Sequence, residues 1–551
     1  MLWRSFLSKL FAFLRIVFFI PFKIIFALLI YFLFLFGETQ TAYSRETGDA
    51  LVVGSIADAR ILVPILASDT ASADIVGAVF NGLVKYDPDL NLIGDLAINW
   101  DIKEEGSVII FHLRKGVRWH DGRPFTAWDV EFTYRMLIDP NVRTPYSGDF
   151  ERIKSFEILD DYTIKLTYKE PFAPALSSWG MPIMPKHLLE NEDLNHTQFG
   201  LHPIGTGPYR FKSWMRQEKI ELVANPKYFE HRPFIDRYIF RVIPDQATLF
   251  LELQAQGVDL TGLSPLQFKR QTDTDFFKKY YRKFRLTSFG YTYLGYNLNN
   301  PKFSDKRVRK ALNYAVDKDE IIEAVHLGLG RVCLGPFLPE SWAFNPEVKP
   351  IPFSPEKAKE LLKEAGWIDS NYDGWLDKDG QAFEFTILTN QGNEERIKTA
   401  QIIQRRLSAI GIKVKIKVLE WSVLLSEFID KRNFEAIVLG WGLGLDPDNF
   451  DIWHSSKIRE GEFNFVSYNN KEVDSLLEEA RRTFDQEKRK ACYHRIHKII
   501  YDEQPYMFLY VPDSISILHS RFRAVRPAPI GIRYNLIDWW VPSNQQRYRI
   551  R

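Results

Sequence analysis

The sequence predicts an α/β protein of several domains, and three observations carry that reading. At 551 residues the chain exceeds what one core organises, so roughly two to four domains are expected. From Leu51 onward, short strand patterns interleave with amphipathic helices. No low-complexity linker or tandem repeat divides the chain, so it is expected to cross between its lobes repeatedly. Composition is that of a globular protein, 45% hydrophobic and 26% charged. Aromatics reach 15%, and such rings also serve ligand clefts.

The elements follow in chain order. Residues 1–37 stand apart: Arg4, Lys9, Arg15 and Lys23 occur with no acid, and Ile16–Gly37 is nearly all apolar. Ile24–Phe36 fits the apolar region of a secretory signal. Ile16–Gly37 is equally long enough to remain as a membrane anchor, with Lys23 costing roughly 2.5–3.5 kcal/mol at mid-bilayer. Both readings place the rest of the chain outside the cytoplasm, since the positive charge lies on the N-terminal side. The whole chain carries 72 basic and 70 acidic residues, and without those four basic residues 68 face 70. The basic excess therefore belongs to the leader, and nothing indicates nucleic acid.

The stretch FHLRKGVRWHDGRPFTAWDVEFTYRML, Phe111–Leu137, holds two histidines and two aspartates and invites a metal or catalytic reading. Local structure accounts for them instead. Phe111–Trp119 alternates as a strand, Asp121-Gly122 is a turn dipeptide, and Thr126 with Asp129 forms a variant capping box. Phe125 and Val130 are placed to close a hydrophobic staple, while His112 and His120 lack ligand spacing.

Downstream, Ser354 is an N-cap, Pro355 opens a helix with an Ala358, Leu361, Leu362, Ala365 stripe, and Gly366 ends it. Asp369–Gly380 resembles a calcium loop, but Gly380 stands where the bidentate Glu belongs, so a polar turn is expected. Another helix runs to about Ile410 and Gly411. In the strand that follows, Ile412, Val414, Ile416 and Val418 face inward and Lys413, Lys415 and Lys417 face water. The apolar strand Ala436–Leu439 runs into a Gly-rich loop bearing Trp441, Asp446, Asp448 and Asp451. A strand ending in glycines and acids suits a cleft edge, where backbone approaches a ligand and a carboxylate meets a cation. Two consecutive helices cover Ser467–Phe484 and Asp485–Glu503, the second with His494 and His497 read as surface residues. Cys333 and Cys492 are either one disulfide or two buried thiols. No G-x-S-x-G, H-E-x-x-H or P-loop is present, so no catalytic residue, metal or cofactor is expected.

Several stretches carry a family resemblance in order. LVPILASDTASADIVGAVFNGLVKYD, the segment DLAINWDIKEEGSVIIFHLRKGVRWHDGRPFTAWDVEFTY, IGTGPYRFKSW, and LGYNLNNPKFSDKRVRKALNYAVDKDEII are followed by EAGW, GIKVKIKVLEW and EQPYMFLY. Together they resemble the extracytoplasmic solute-binding proteins of peptide-type ABC importers, the dipeptide- and oligopeptide-binding family, over roughly Leu51–Asp513. The resemblance implies a periplasmic binding protein-like class II fold with two lobes and an inserted domain, closing on ligand around a hinge. It implies a discontinuous domain I (50–84, 205–288 and 513–551), domain II (85–204) and domain III (289–512). It further implies a monomer that captures a peptide or similar solute and delivers it to a membrane permease. Relatives of the same fold also bind oligosaccharides and metal chelates. In peptide-binding relatives an aspartate just after the tryptophan pairs with the ligand amine. Here Trp-x-Ala-Asp-Tyr becomes Trp441-Gly442-Leu443-Gly444-Leu445, so Asp446 or Asp448 is expected to substitute. Asp58, Tyr293 and Ser55 are further candidates for the cleft. An extracytoplasmic hydrolase and a tethered sensor are the competing readings, distinguished by turnover of ligand and by an intact N-terminus.

Overall fold

The computed structural model describes residues 45–548, so the proposed signal or anchor lies outside the described residues. Among those described, no helix is long and apolar enough to cross a membrane. Three principal sheets organise the chain. The first has seven strands, in the order Tyr281–Leu286, Ser514–His519, Leu260–Gly262, Gly48–Ser55, Ile235–Val242, Lys219–Ala224 and Tyr209–Met215. Gly48–Ser55 lies parallel to both of its neighbours, and the outer pairs are antiparallel. The second is a four-stranded antiparallel sheet of Ala97–Lys103, Val108–Leu113, Thr163–Tyr168 and Ile153–Asp160. The third has six strands, ordered Gly330–Val332, Tyr506–Pro512, Gly290–Tyr296, Ala436–Gly442, Glu384–Asn390 and Lys413–Leu419.

Period-two alternation decides where the cores sit. Ile437 and Leu439 face one core of the six-stranded sheet, while Ala436 and Val438 face the other. Gly290–Tyr296 is buried along its whole length, as expected of a central strand covered on both faces. Lys413–Leu419 is the edge strand, and there the expected inward row fades. Ile412 and Val414 are buried in a core with Ile403 and Leu407, Ile416 is half-buried, and Val418, near the far end of the strand, is 41% exposed.

The local punctuation agrees with the sequence reading. Thr126 and Asp129 form a capping box at the helix Ala127–Ile138, and Phe125 and Val130 are fully buried beside it. Ser354 accepts from the Lys357 amide at the start of Pro355–Glu364, and Gly366 supplies the left-handed residue (φ 89°) beyond its end. Asp369 accepts from the Gly374 amide at 3.0 Å, which makes that segment a closed polar turn. Cys333 and Cys492 are both buried and free.

His497 departs from the surface reading. It is fully buried, with Nδ1 accepting from the Asn345 amide and Nε2 donating to the Leu334 carbonyl, each at 3.1 Å. Burial pulls His497 and His326 down to about 4. The unfolded chain protonates a histidine near 6.5, so between these values the unfolded state holds more protons. The stability they contribute is complete above about pH 6.5 and declines toward pH 4, at up to about 1.4 kcal/mol per pH unit for each histidine. Urea midpoints measured through this window should fall with acidity, and His497→Gln should flatten the slope.

Candidate ligand-binding cavity

One face of the seven-stranded sheet forms the floor of a cavity of about 1080 Å³. Val53 pairs with Phe240 on one side and Leu260 on the other, and Gly262 pairs with Ser516. Alternation therefore brings Val53, Ser55, Phe240, Leu260 and Ser516 to the same face, and all of them line the cavity. Ser55 and Gly262 sit at the carboxyl ends of parallel strands, where open α/β sheets place their ligands. One wall is the helix Thr70–Val79 and the segment that follows it. Gly82 is required there: a Cβ would fall 2.5 Å from the Gly180 carbonyl oxygen. The facing wall comes from the six-stranded sheet, at the turn from Glu384–Asn390 into the helix Glu394–Ser408, with Asn393, Arg396 and Trp421.

Charge in the cavity is mostly committed. Asp74 holds Arg533 at 2.7 Å, and Arg533 also donates to the Tyr238 hydroxyl at 3.0 Å. Lys85 is shared by Glu230 and Asp95, the latter at 3.5 Å. Burial works against the Lys85 ammonium, but the two carboxylates outweigh it and hold its pKa above the ordinary lysine value. Burial pushes the Asp95 carboxyl up against that same attraction. Arg396 differs. Its Nη1 donates to Asn390 Oδ1 at 2.9 Å, and no carboxylate among the described residues forms an ion pair with it. Burial pulls its pKa down. The cavity thus offers one guanidinium outside any close ion pair, with only the charge of neighbouring Glu395 acting on it, and one lysine shared between two carboxylates, an arrangement that suits a ligand with separate anionic and cationic ends.

Of the residues singled out from sequence, Ser55 lines this cavity, with its hydroxyl donating to the Ala57 carbonyl at 2.8 Å. Asp58 accepts from Trp214 Nε1 at 3.1 Å and from the Gln217 amide at 2.9 Å. Tyr293 is buried and stacked on Tyr506 at 4.0 Å. Trp441 is half-buried and donates to the Tyr506 hydroxyl at 3.2 Å. Neither loop aspartate stands as an unpaired acid: Asp446 holds Arg489 at 2.8 Å, and Asp448 holds Arg481 at 2.6 Å. Sequence reasoning missed Asp74, Lys85, Glu230, Arg396 and Arg533. For Arg396 a signal was present, because an apolar strand running straight into a capped helix is a place where ligands bind.

Comparison with known proteins gives a consistent picture. Residues 91–460 match the family model described as bacterial extracellular solute-binding proteins, family 5 middle. The oligopeptide-binding protein AppA of Bacillus subtilis (strain 168) is 36% identical over 515 residues, covering 91% of this chain and 93% of that protein. The structure of AppA from Bacillus subtilis in complex with a nonapeptide superposes with a TM-score of 0.87 at 34% identity, covering 91% of this chain and all of that one. NikZ from Campylobacter jejuni in complex with Ni(L-His) gives a TM-score of 0.82 at 31% identity, over 89% of this chain and 99% of that one. With the mixed α/β architecture and a cavity walled by two sheets, these matches mean that the chain belongs to the bacterial extracellular solute-binding proteins of family 5.

Proposed function

We propose that the protein captures a peptide in this cavity outside the cytoplasm and delivers it, chemically unchanged, to an ABC permease in the membrane. The observation that carries the reading is Arg396, a cavity guanidinium with no carboxylate of its own. A free peptide brings the missing carboxylate, and its amino end suits the excess acid around Lys85. The oligopeptide-binding protein of Bacillus subtilis, similar along nearly its whole length, supports the choice of ligand class. The three sheets are read as three domains, 50–84 with 205–288 and 513–551, then 85–204, then 289–512. Residues 1–37 are read as the segment that takes the chain across the membrane. Asp446 and Asp448 are read as scaffold for the Trp441 loop, and Ser55 as a cleft residue.

Calorimetric titration with mixed short peptides tests the proposal. Retention of peptide, recovered intact, is expected, and failure to bind any peptide overturns it. Arg396→Gln should weaken binding roughly ten- to a hundredfold, the loss of about 1.5–3 kcal/mol from a hydrogen bond to a charged group. Amidating the peptide C-terminus should weaken binding to the native protein but cost the variant little more.

A further inference from the structure

The seven- and four-stranded sheets share one hydrophobic core, in which Val53 and Phe240 join Phe111 and Ile164, while the six-stranded sheet has two cores of its own. The chain therefore forms two lobes, and they meet again outside the cavity, through charge. Arg481 of one lobe reaches Asp149 of the other and Asp448 of its own, both at 2.6 Å, and its carbonyl accepts from the Ala173 amide at 2.8 Å. Lys457 Nζ donates to Ser147 Oγ at 3.0 Å, with Glu462 at 3.5 Å and Asp451 at 3.8 Å. The lobes approach so closely that a Cβ on Gly148 would fall 2.6 Å from Asp451 Oδ1. Cations and acids do not balance at this contact. Arg489 is taken by Asp446, Arg459 by Glu462, and Arg481 by two acids. Asp451 is left with distant Lys457 alone, and its Oδ1 is shut off from water with no hydrogen-bond partner among the described residues. The other charged groups nearby bring no free cation. His454 faces Asp474 at 3.9 Å and Glu478 at 3.5 Å, and burial pulls its pKa down, so the ring is neutral at pH 7. Arg152 and Arg482 share Glu170, at 3.1 and 3.5 Å, and the Tyr146 hydroxyl donates to the Ala67 carbonyl. Burial, then repulsion from Asp149, pushes the Asp451 carboxyl up to about 7, and burial pushes Asp149 up as well.

We propose that closing the two lobes takes up one proton from the medium at this contact, held on the Asp451 carboxyl, so that acidity favours capture of ligand and alkalinity favours release. The choice of ligand rests on the peptide reading above. Closing with Asp451 ionised sets its charge beside Asp149 and Asp448 with no cation to spare. When the lobes part, water reaches Asp451, Asp149 withdraws, and the carboxyl falls back toward the ordinary value of about 3.9. An acid whose pKa is higher in the closed form binds a proton on closing. Closure is therefore favoured as pH falls through the closed-form value, and disfavoured above it.

The test is calorimetric titration of the purified protein with mixed short peptides between pH 6 and pH 8, in buffers of unequal ionisation heat. The native protein should bind about tenfold tighter at pH 6 than at pH 8, and at pH 7 binding should draw about half a proton from the buffer. Asp451→Asn has the shape of the protonated acid without its titration. It should bind at pH 8 nearly as tightly as the native protein does at pH 6, and its proton uptake should vanish. Other acids and the peptide termini titrate alike in both proteins, so the difference isolates Asp451. The buffer comparison on the native protein decides the matter even if the variant does not fold. Absence of uptake by the native protein, or an unchanged pH profile in the variant, overturns the proton link and leaves the peptide reading intact. Binding of no peptide at any pH overturns both.

Discussion

Replacing Arg521 by Met should destabilise the protein by about 3–5 kcal/mol, the cost of leaving buried charge without its partner. Arg521 is buried and bridges Asp259 at 2.7 Å and Asp49 at 3.2 Å, and it also donates to the Ala50 carbonyl at 2.8 Å. Burial already pushes Asp259 up to about 6 despite the guanidinium. Without Arg521 it rises further. An acid whose folded pKa lies above the unfolded value of about 3.9 opposes folding once pH exceeds that value, and more so until the folded pKa is passed. The deficit of the variant should therefore shrink as the medium is acidified from neutral toward pH 4. Denaturant titrations at both ends of that range give the measurement. Removing the acid as well, in Arg521→Met with Asp259→Leu, should recover much of the loss, because a well-packed apolar pair matches a buried ion pair. A single variant as stable as the native protein would refute this account.

Arg481→Met should have an effect of similar size, about 3–5 kcal/mol, at a different place. Arg481 is buried and lies 3.7 Å from the centre of the Phe450 ring. It holds Asp448 from the loop beyond Trp441 and Asp149 from the short helix Ser147–Phe150, both at 2.6 Å. A third acid, Asp451, stands beside them, and burial followed by repulsion from Asp149 pushes it up to about 7. With the guanidinium gone, three carboxylates crowd one buried site. Unfolding should then occur at lower denaturant, and acid should partly restore the midpoint. Arg481→Lys should recover little, since a point charge cannot reach both acids as the planar fork does. A second observable separates this site from Arg521. Arg481 ties the segment beside the four-stranded sheet to the helix Lys471–Arg482 behind the six-stranded sheet, so its loss should raise amide exchange in both. Exchange confined to one of them would count against the bridging role.

How far the sequence reaches depends on the distance over which a residue finds its partners. Thr126 and Asp129, or Ser354 and Lys357, meet within one helical turn, and their roles were readable from spacing alone. Asp446 and Asp448 stand out in the sequence as acids in a Gly-rich loop, but their partners Arg489 and Arg481 come from two later helices. A lone acid in a sequence does not show whether a guanidinium from elsewhere will reach it. The cavity is harder still. Asp74 with Arg533, and Lys85 with Glu230, join parts of the chain that no periodicity connects. The edge strand Lys413–Leu419 shows the opposite limit: its alternation was visible, but the fading burial of Val418 depends on how far along the strand the core with Ile403 and Leu407 extends.

The seven-stranded sheet takes its central strand from residues 48–55 and a near-edge strand from residues 514–519, and Arg521 closes onto Asp49 across that span. The first strand of this sheet to be synthesised therefore waits for one of the last segments before its buried carboxylate is neutralised. Long-range closure of this kind is slow, and until it happens an aspartate and an apolar strand remain open to other chains. A newly made molecule depends on protection from aggregation until its C-terminal part arrives, and proteolytic loss of residues 514–548 would remove both a strand of the sheet and the guanidinium that closes onto its central one.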